Sequence, residues 1–197
     1  MSEYELYNRI LAPRLRCKSQ TVLFEESGCK MHKADVIADS KIAYSLYRYD
    51  QKEHGDLFFP FFNNTHDGDL GSAEIPTPAD LLKFCDYILL AEKRGVLYVL
   101  LIELKSGDNG DAYKQLDASA AFMEYIKNTA VRISETNGYL EFDENNVKLR
   151  KIVLKPSPKI RPFTNKAKSK HSEIDLNASP IYYCSDMISL NLFCRQK

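Results

Sequence analysis

Two acids and a lysine carry the chemistry most open to this chain. Asp86 heads an apolar run, Tyr87-Ile88-Leu89-Leu90-Ala91, and Glu103 and Lys105 close a second one, Val96 to Ile102, with Glu92-Lys93-Arg94-Gly95 between the two. An unbroken apolar run rich in β-formers, and far too short to cross a membrane, reads as a strand buried on both faces. A carboxylate at the end of such a strand costs several kcal/mol unless it meets a cation, a hydrogen-bond network or water. Two carboxylates on neighbouring strands stand about 5 Å apart and repel, and a divalent cation relieves that repulsion most simply. Oxygen ligands of this kind suit Mg²⁺ or Mn²⁺. A lysine beside such a pair can orient or help deprotonate an attacking water and offset charge developing on a phosphate oxygen. That is the chemistry of phosphodiester hydrolysis.

A β-hairpin must bring these groups together. With Arg94-Gly95 as the loop, Lys93 faces Val96 and Asp86 lies opposite Glu103. With all four residues in the loop, Asp86 is diagonal to Glu103. Either way they share a face, because side chains alternate along a strand and opposed residues point the same way. A three-residue loop would turn Asp86 to the other face. Lys105, two beyond Glu103, joins them.

Asp86, then Glu103-Leu104-Lys105 after a hairpin, then a helix bearing Gln115, resembles the PD-(D/E)xK nuclease superfamily over roughly residues 80–127. Cys85 stands where the family name has Pro, and Ser119 stands where a Gln-x-x-x-Tyr branch carries Tyr. The resemblance implies an α/β domain with a mixed central sheet flanked by helices, a restriction-endonuclease-like core. It implies that Asp86 and Glu103 bind Mg²⁺ or Mn²⁺, that Lys105 positions the water, and that Gln115 assists. It also implies DNA rather than RNA as substrate and, for cutting both strands, a homodimer. Some branches add an acid from an N-terminal helix; Glu3, Glu5, Glu25 and Glu26 all qualify.

The chain of 197 residues reads as one domain, 1–197, long enough to bury a good core. Lys plus Arg equals Asp plus Glu at 27 each, so no global field draws polyanions and any nucleic-acid contact must come from local clustering. Such clustering occurs over 145–172, where acids are absent and Lys148, Arg150, Lys151, Lys155, Lys159 and Arg161 accumulate. Pro156, Pro158 and Pro162 make the middle of that region a loop. The five cysteines are an odd number without a Cys-x-x-Cys, which argues against a disulfide framework or zinc ribbon and for a reducing cytoplasm. No membrane span or signal peptide is visible.

Along the chain, Tyr4, Leu6, Tyr7, Ile10 and Leu11 predict a helix limited by Pro13, in which Glu3 and Glu5 also suit the helix dipole. Strands are expected at 21–25 and 41–49, the latter half-exposed by its alternation. The segment 63–69, with His66, reads as a turn rather than a metal loop. Residues 78–83 suggest a short helix. Asp111 could cap the helix after Lys105, whose inward stripe is Leu116, Ala120, Met123 and Ile126. Residues 139–142 with 147–154 suggest a second hairpin, and 181–184 and 188–193 two closing strands.

Overall fold

The computed structural model describes residues 1–19, 21–23, 33–49, 84–105, 112–138, 143–154, 181–184 and 187–194. Helix α1 (Glu3–Ile10) begins at a reciprocal cap: the Ser2 hydroxyl accepts from the Glu5 amide, and the Glu5 carboxylate accepts from the Ser2 amide. Two otherwise orphaned donors are thereby satisfied. The helix stops at Leu11, and a 3-10 turn follows at Pro13–Leu15. Next come β1 (Thr21–Leu23), β2 (Lys33–Ile37), β3 (Ala43–Arg48), β4 (Tyr87–Lys93) and β5 (Val96–Leu104). The long helix α2 (Ala112–Asn137) leads to β6 (Val147–Leu154), β7 (Ile181–Cys184), β8 (Met187–Ser189) and the one-turn α3 (Leu190–Phe193).

The fold is mixed α/β. The central sheet has the order β3-β4-β5-β6-β7, antiparallel through β3, β4 and β5 and parallel through β5, β6 and β7. Helix α2 is the crossover that a parallel β5–β6 pair requires. A smaller sheet, β1-β2-β8, pairs β2 with β8 in parallel.

Strand β5 is buried along its whole length, and its alternation sorts the core into two layers. Leu97, Val99 and Leu101 join Ile88 and Leu90 of β4 under α1 and α2, with Leu6, Tyr7, Leu116, Met123 and Ile126 above them. Val96, Tyr98, Leu100, Ile102 and Leu104 face the other way, onto Ala34 and Val36 of β2, Ile188 of β8, and Leu190 and Phe193 of α3. Among the described residues no helix is long and apolar enough to cross a membrane.

Several elements differ from the sequence reading. In β3, Ser45, Leu46 and Tyr47 are all buried, so the strand is covered on both faces. The cover on one face is α1, whose Tyr4 hydroxyl lies 2.7 Å from Ser45 Oγ and whose Asn8 Oδ1 accepts from the Tyr47 hydroxyl at 2.5 Å. Strand β6 pairs with β5 and β7, and the expected partner segment 139–142 lies outside the described residues. The strand expected at 188–193 is instead the end of the three-residue β8, Met187–Ser189, and then the helical turn Leu190–Phe193. The expected helix 78–83, the 63–69 turn and residues 24 and 25 of the first strand also lie outside the described residues.

Candidate active site

The hairpin decides the geometry of the site. Lys93 pairs with Val96 and Tyr87 with Ile102, so the loop is the two residues Arg94-Gly95. Both carry positive φ, 53° and 74°, the backbone twist that a two-residue hairpin needs and that glycine adopts without strain. Carried one step further, this register sets Asp86 opposite Glu103, on the face of Ile88, Leu90, Val99 and Leu101. The two carboxylates therefore sit on the helix side of the sheet.

Each is held by short bonds. Asp86 Oδ2 accepts from the Leu104 amide at 2.6 Å, and the Asp86 carbonyl accepts from the Tyr49 amide at 2.8 Å, which ties the residue to strands on both sides. Glu103 Oε1 lies 2.9 Å from Lys105 Nζ; the glutamate side chain is 2% exposed and the lysine 19%. Lys105 Nζ also donates to Gln115 Oε1 at 3.0 Å, and Gln115 Nε2 donates to the Phe84 carbonyl at 3.3 Å. The Lys105 backbone amide donates to Leu154 of β6 at 2.9 Å, so β5 stays in register up to the lysine. Glu103, Lys105 and Gln115 thus form one chain of polar contacts at one end of the sheet, on the face that Asp86 shares by register.

The segment before Asp86 is fixed by contacts that the sequence does not announce. Ser119, fully buried, accepts from the Cys85 amide at 2.8 Å and donates to the Gln115 carbonyl one turn back, also at 2.8 Å. The only sequence signal for this was the one-turn spacing of Ser119 from Gln115. Phe84 packs against both Tyr49 and Phe122 of α2, with ring centroids 5.0 Å and 5.9 Å away, and those two rings stack on each other at 5.3 Å. Burial pushes the Cys85 thiol well up; the Ser119 hydrogen bond opposes this, and the Glu103 and Asp86 charges add to the rise. Cys85 therefore stays a neutral thiol beside the carboxylates and brings no anionic sulfur to them.

The basic residues divide between the two faces. Lys151 opposes Leu101 and lies on the helix side, where its Nζ donates to Asp117 Oδ1 of α2 at 2.6 Å. Lysine and aspartate are 9% and 67% exposed, so the lysine tethers α2 to β6 from beneath. Lys148 and Arg150 alternate onto the opposite face, where Arg150 stands 5.9 Å from the Tyr98 ring centroid. The structure does not bring these two to Asp86 and Glu103. Lys155, Lys159 and Arg161 lie outside the described residues, as do Glu25, Glu26 and Asp111.

Of the N-terminal acids, Glu5 is engaged in its helix cap. The Ser2 hydroxyl beneath that cap donates to Glu92 Oε2 at 3.2 Å, close to the hairpin loop and at the opposite end of β4 from Asp86. Among the described residues no group of three or more His, Cys, Asp or Glu converges. Comparison with known proteins yields no match to a family model, a curated protein or a solved structure.

Proposed function

We propose that this chain is a divalent-metal-dependent nuclease of the PD-(D/E)xK kind, with a restriction-endonuclease-like core, hydrolysing phosphodiester bonds in DNA. One observation carries the reading: Asp86 and Glu103 oppose each other on one sheet face, with Lys105 2.9 Å from Glu103 and steered by Gln115 at 3.0 Å.

The donor set fits Mg²⁺ or Mn²⁺. Both acids offer hard oxygens, and Mg²⁺ is commonly held by one or two carboxylates with water completing its shell. Asp86 and Glu103 would be the ligands; when bound, the ion supplies Lewis acidity and lowers the pKa of a nearby water. The remaining work falls to the chain. Leu104 and Tyr49 fix Asp86 from two strands, so the carboxylate pays little ordering entropy on binding. Lys105 neutralises Glu103 and, once the carboxylate engages a cation, can orient the attacking water and offset charge on the phosphate oxygen. Gln115 keeps the ammonium aimed at that place.

Plasmid degradation by the purified protein in Mg²⁺ or Mn²⁺ tests the proposal. Activity should vanish in Glu103→Ala and Lys105→Ala and persist in His66→Ala. The closed Lys105–Glu103 pair, with the glutamate 2% exposed, favours a second reading: a nucleic-acid-binding or protein-interaction module without catalysis. Binding retained with no cleavage in either metal would select it.

A further inference from the structure

From Leu6 through Phe24 the chain carries Arg9, Arg14, Arg16 and Lys18 and no acid, although its overall formal charge is +0. All four cations are exposed. Arg9 sits in the last turn of α1, where the helix dipole favours a cation whatever the partner. The other three lie beyond that helix, in the 3-10 turn and the segment after it.

They are held in place. Leu11 and Leu15 are buried in the helix-side core, so the stretch that bears the cations is anchored between them and β3. Arg16 bridges Tyr47 in an antiparallel pairing, and the Cys17 amide donates to the Leu46 carbonyl at 2.8 Å. Residues directly opposed across such a pairing point the same way, and Tyr47 belongs to the helix-side core. Arg16 therefore shares its face with Asp86, Glu103 and Lys105. Cys17 packs against the other layer, as alternation requires. Tyr49, two residues beyond Tyr47, donates its amide to the Asp86 carbonyl. Arg16 is thus two strands across from Asp86, about 10 Å, and two residues along, about 7 Å. That spans a few phosphates of a nucleic-acid strand. Lys148 and Arg150 lie on the opposite face, and Lys151 is engaged by Asp117.

We infer that Arg14, Arg16 and Lys18, on the segment that Arg16 and Cys17 pair to the outer edge of β3, form a phosphate-backbone contact surface that leads a nucleic acid toward Asp86 and Glu103. The choice of partner rests on the nuclease reading; the binding does not, and can be measured without cleavage.

The test is fluorescence anisotropy of a short labelled DNA duplex in EDTA, titrated at several salt concentrations. Arg14→Gln/Arg16→Gln/Lys18→Gln should bind about tenfold more weakly and lower the slope of log affinity against log salt by about 2.7, at about 0.9 per phosphate contact. Lys41→Gln/Arg94→Asn/Arg132→Gln, which removes three exposed cations elsewhere, should leave the slope unchanged. If the first triple variant fails to fold, Arg16→Gln alone, with a slope change of about 0.9, carries the test. Equal slopes for the two triple variants, or a wild type that does not bind duplex, overturn the inference. So does tighter wild-type binding to phosphatidylserine vesicles than to DNA, lost in the same variant, which would assign the surface to anionic lipid. Weakened binding together with a wild type inert in Mg²⁺ and Mn²⁺ upholds the surface and removes the nuclease reading. Unchanged binding with active cleavage does the reverse.

Discussion

Removing the Lys105 ammonium isolates what the site does with charge. Its partner Glu103 is 2% exposed and Lys105 itself 19%, so the carboxylate end of the pair is buried and the ammonium partly so. Removing the cation from a pair whose carboxylate is buried costs about 3–5 kcal/mol. For a chain of this size each kcal/mol lowers Tm by about 2–4 °C, so Lys105→Ala should melt about 6–20 °C below wild type in EDTA. Replacing both partners by neutral groups of similar shape, Glu103→Gln/Lys105→Met, should recover most of that loss. The informative step is then Mg²⁺ or Mn²⁺. A cation held by Asp86 and Glu103 replaces the missing positive charge, so the metal should raise the Tm of Lys105→Ala more than that of wild type and leave the double variant unmoved. Differential scanning calorimetry of the three proteins, with and without metal, reads all of this. A Lys105→Ala loss within about 0.5 kcal/mol, the range of an ordinary surface change, refutes the buried-pair reasoning. Equal metal responses in Lys105→Ala and the double variant refute the metal site.

Ser119→Ala removes the buried acceptor of the Cys85 amide, so the urea midpoint should fall by the equivalent of about 1–3 kcal/mol. In the plasmid assay the same variant should need more Mn²⁺ for half-maximal cleavage, because the segment carrying Asp86 loses its anchor. Gly95→Val places a β-branched residue at φ +74 with no side-chain clash, so a cost of about 1–2 kcal/mol comes from the backbone alone, and Gly95→Asn should cost visibly less in the same urea titration. Burial pushes the Cys194 thiol up to about 12. The unfolded thiol ionises at about 8.5 while the folded one stays protonated, so this part of the stability is complete below pH ~8.5 and is lost as pH rises toward 12. Urea midpoints should fall across that window, and Cys194→Ala should fall less.

The candidate site was legible in the sequence to the extent that it is local. Two apolar runs joined by Arg94-Gly95 limit the hairpin to a few registers, and alternation then puts Asp86 and Glu103 on one face or on opposite ones. The choice between a two-residue and a four-residue loop was not legible, because Glu92 and Lys93 suit a loop as well as a strand end. The α2 stripe was legible for the same local reason: Leu116, Met123 and Ile126 are buried as their spacing requires. Contacts between segments distant in sequence were not. Strand β3 looked half-exposed because its alternation of Tyr, Ser and Leu cannot announce that α1 will lie across it. The parallel pairing of β2 with β8 joins segments more than a hundred residues apart. The part of Ser119 depends on Cys85 arriving beneath α2, and its one-turn spacing from Gln115 marks the serine without naming that partner. Lys148, Arg150 and Lys151 read as one basic cluster, yet strand alternation divides them between two faces.

The most direct measurement is anomalous diffraction from crystals soaked in Mn²⁺. The nuclease reading predicts a peak within coordination distance of carboxylate oxygens from both Asp86 and Glu103, with Lys105 Nζ moved off Glu103 toward the peak's open side. An unchanged Lys105–Glu103 contact with no peak beside either acid, in crystals that carry Mn²⁺ elsewhere, would contradict it.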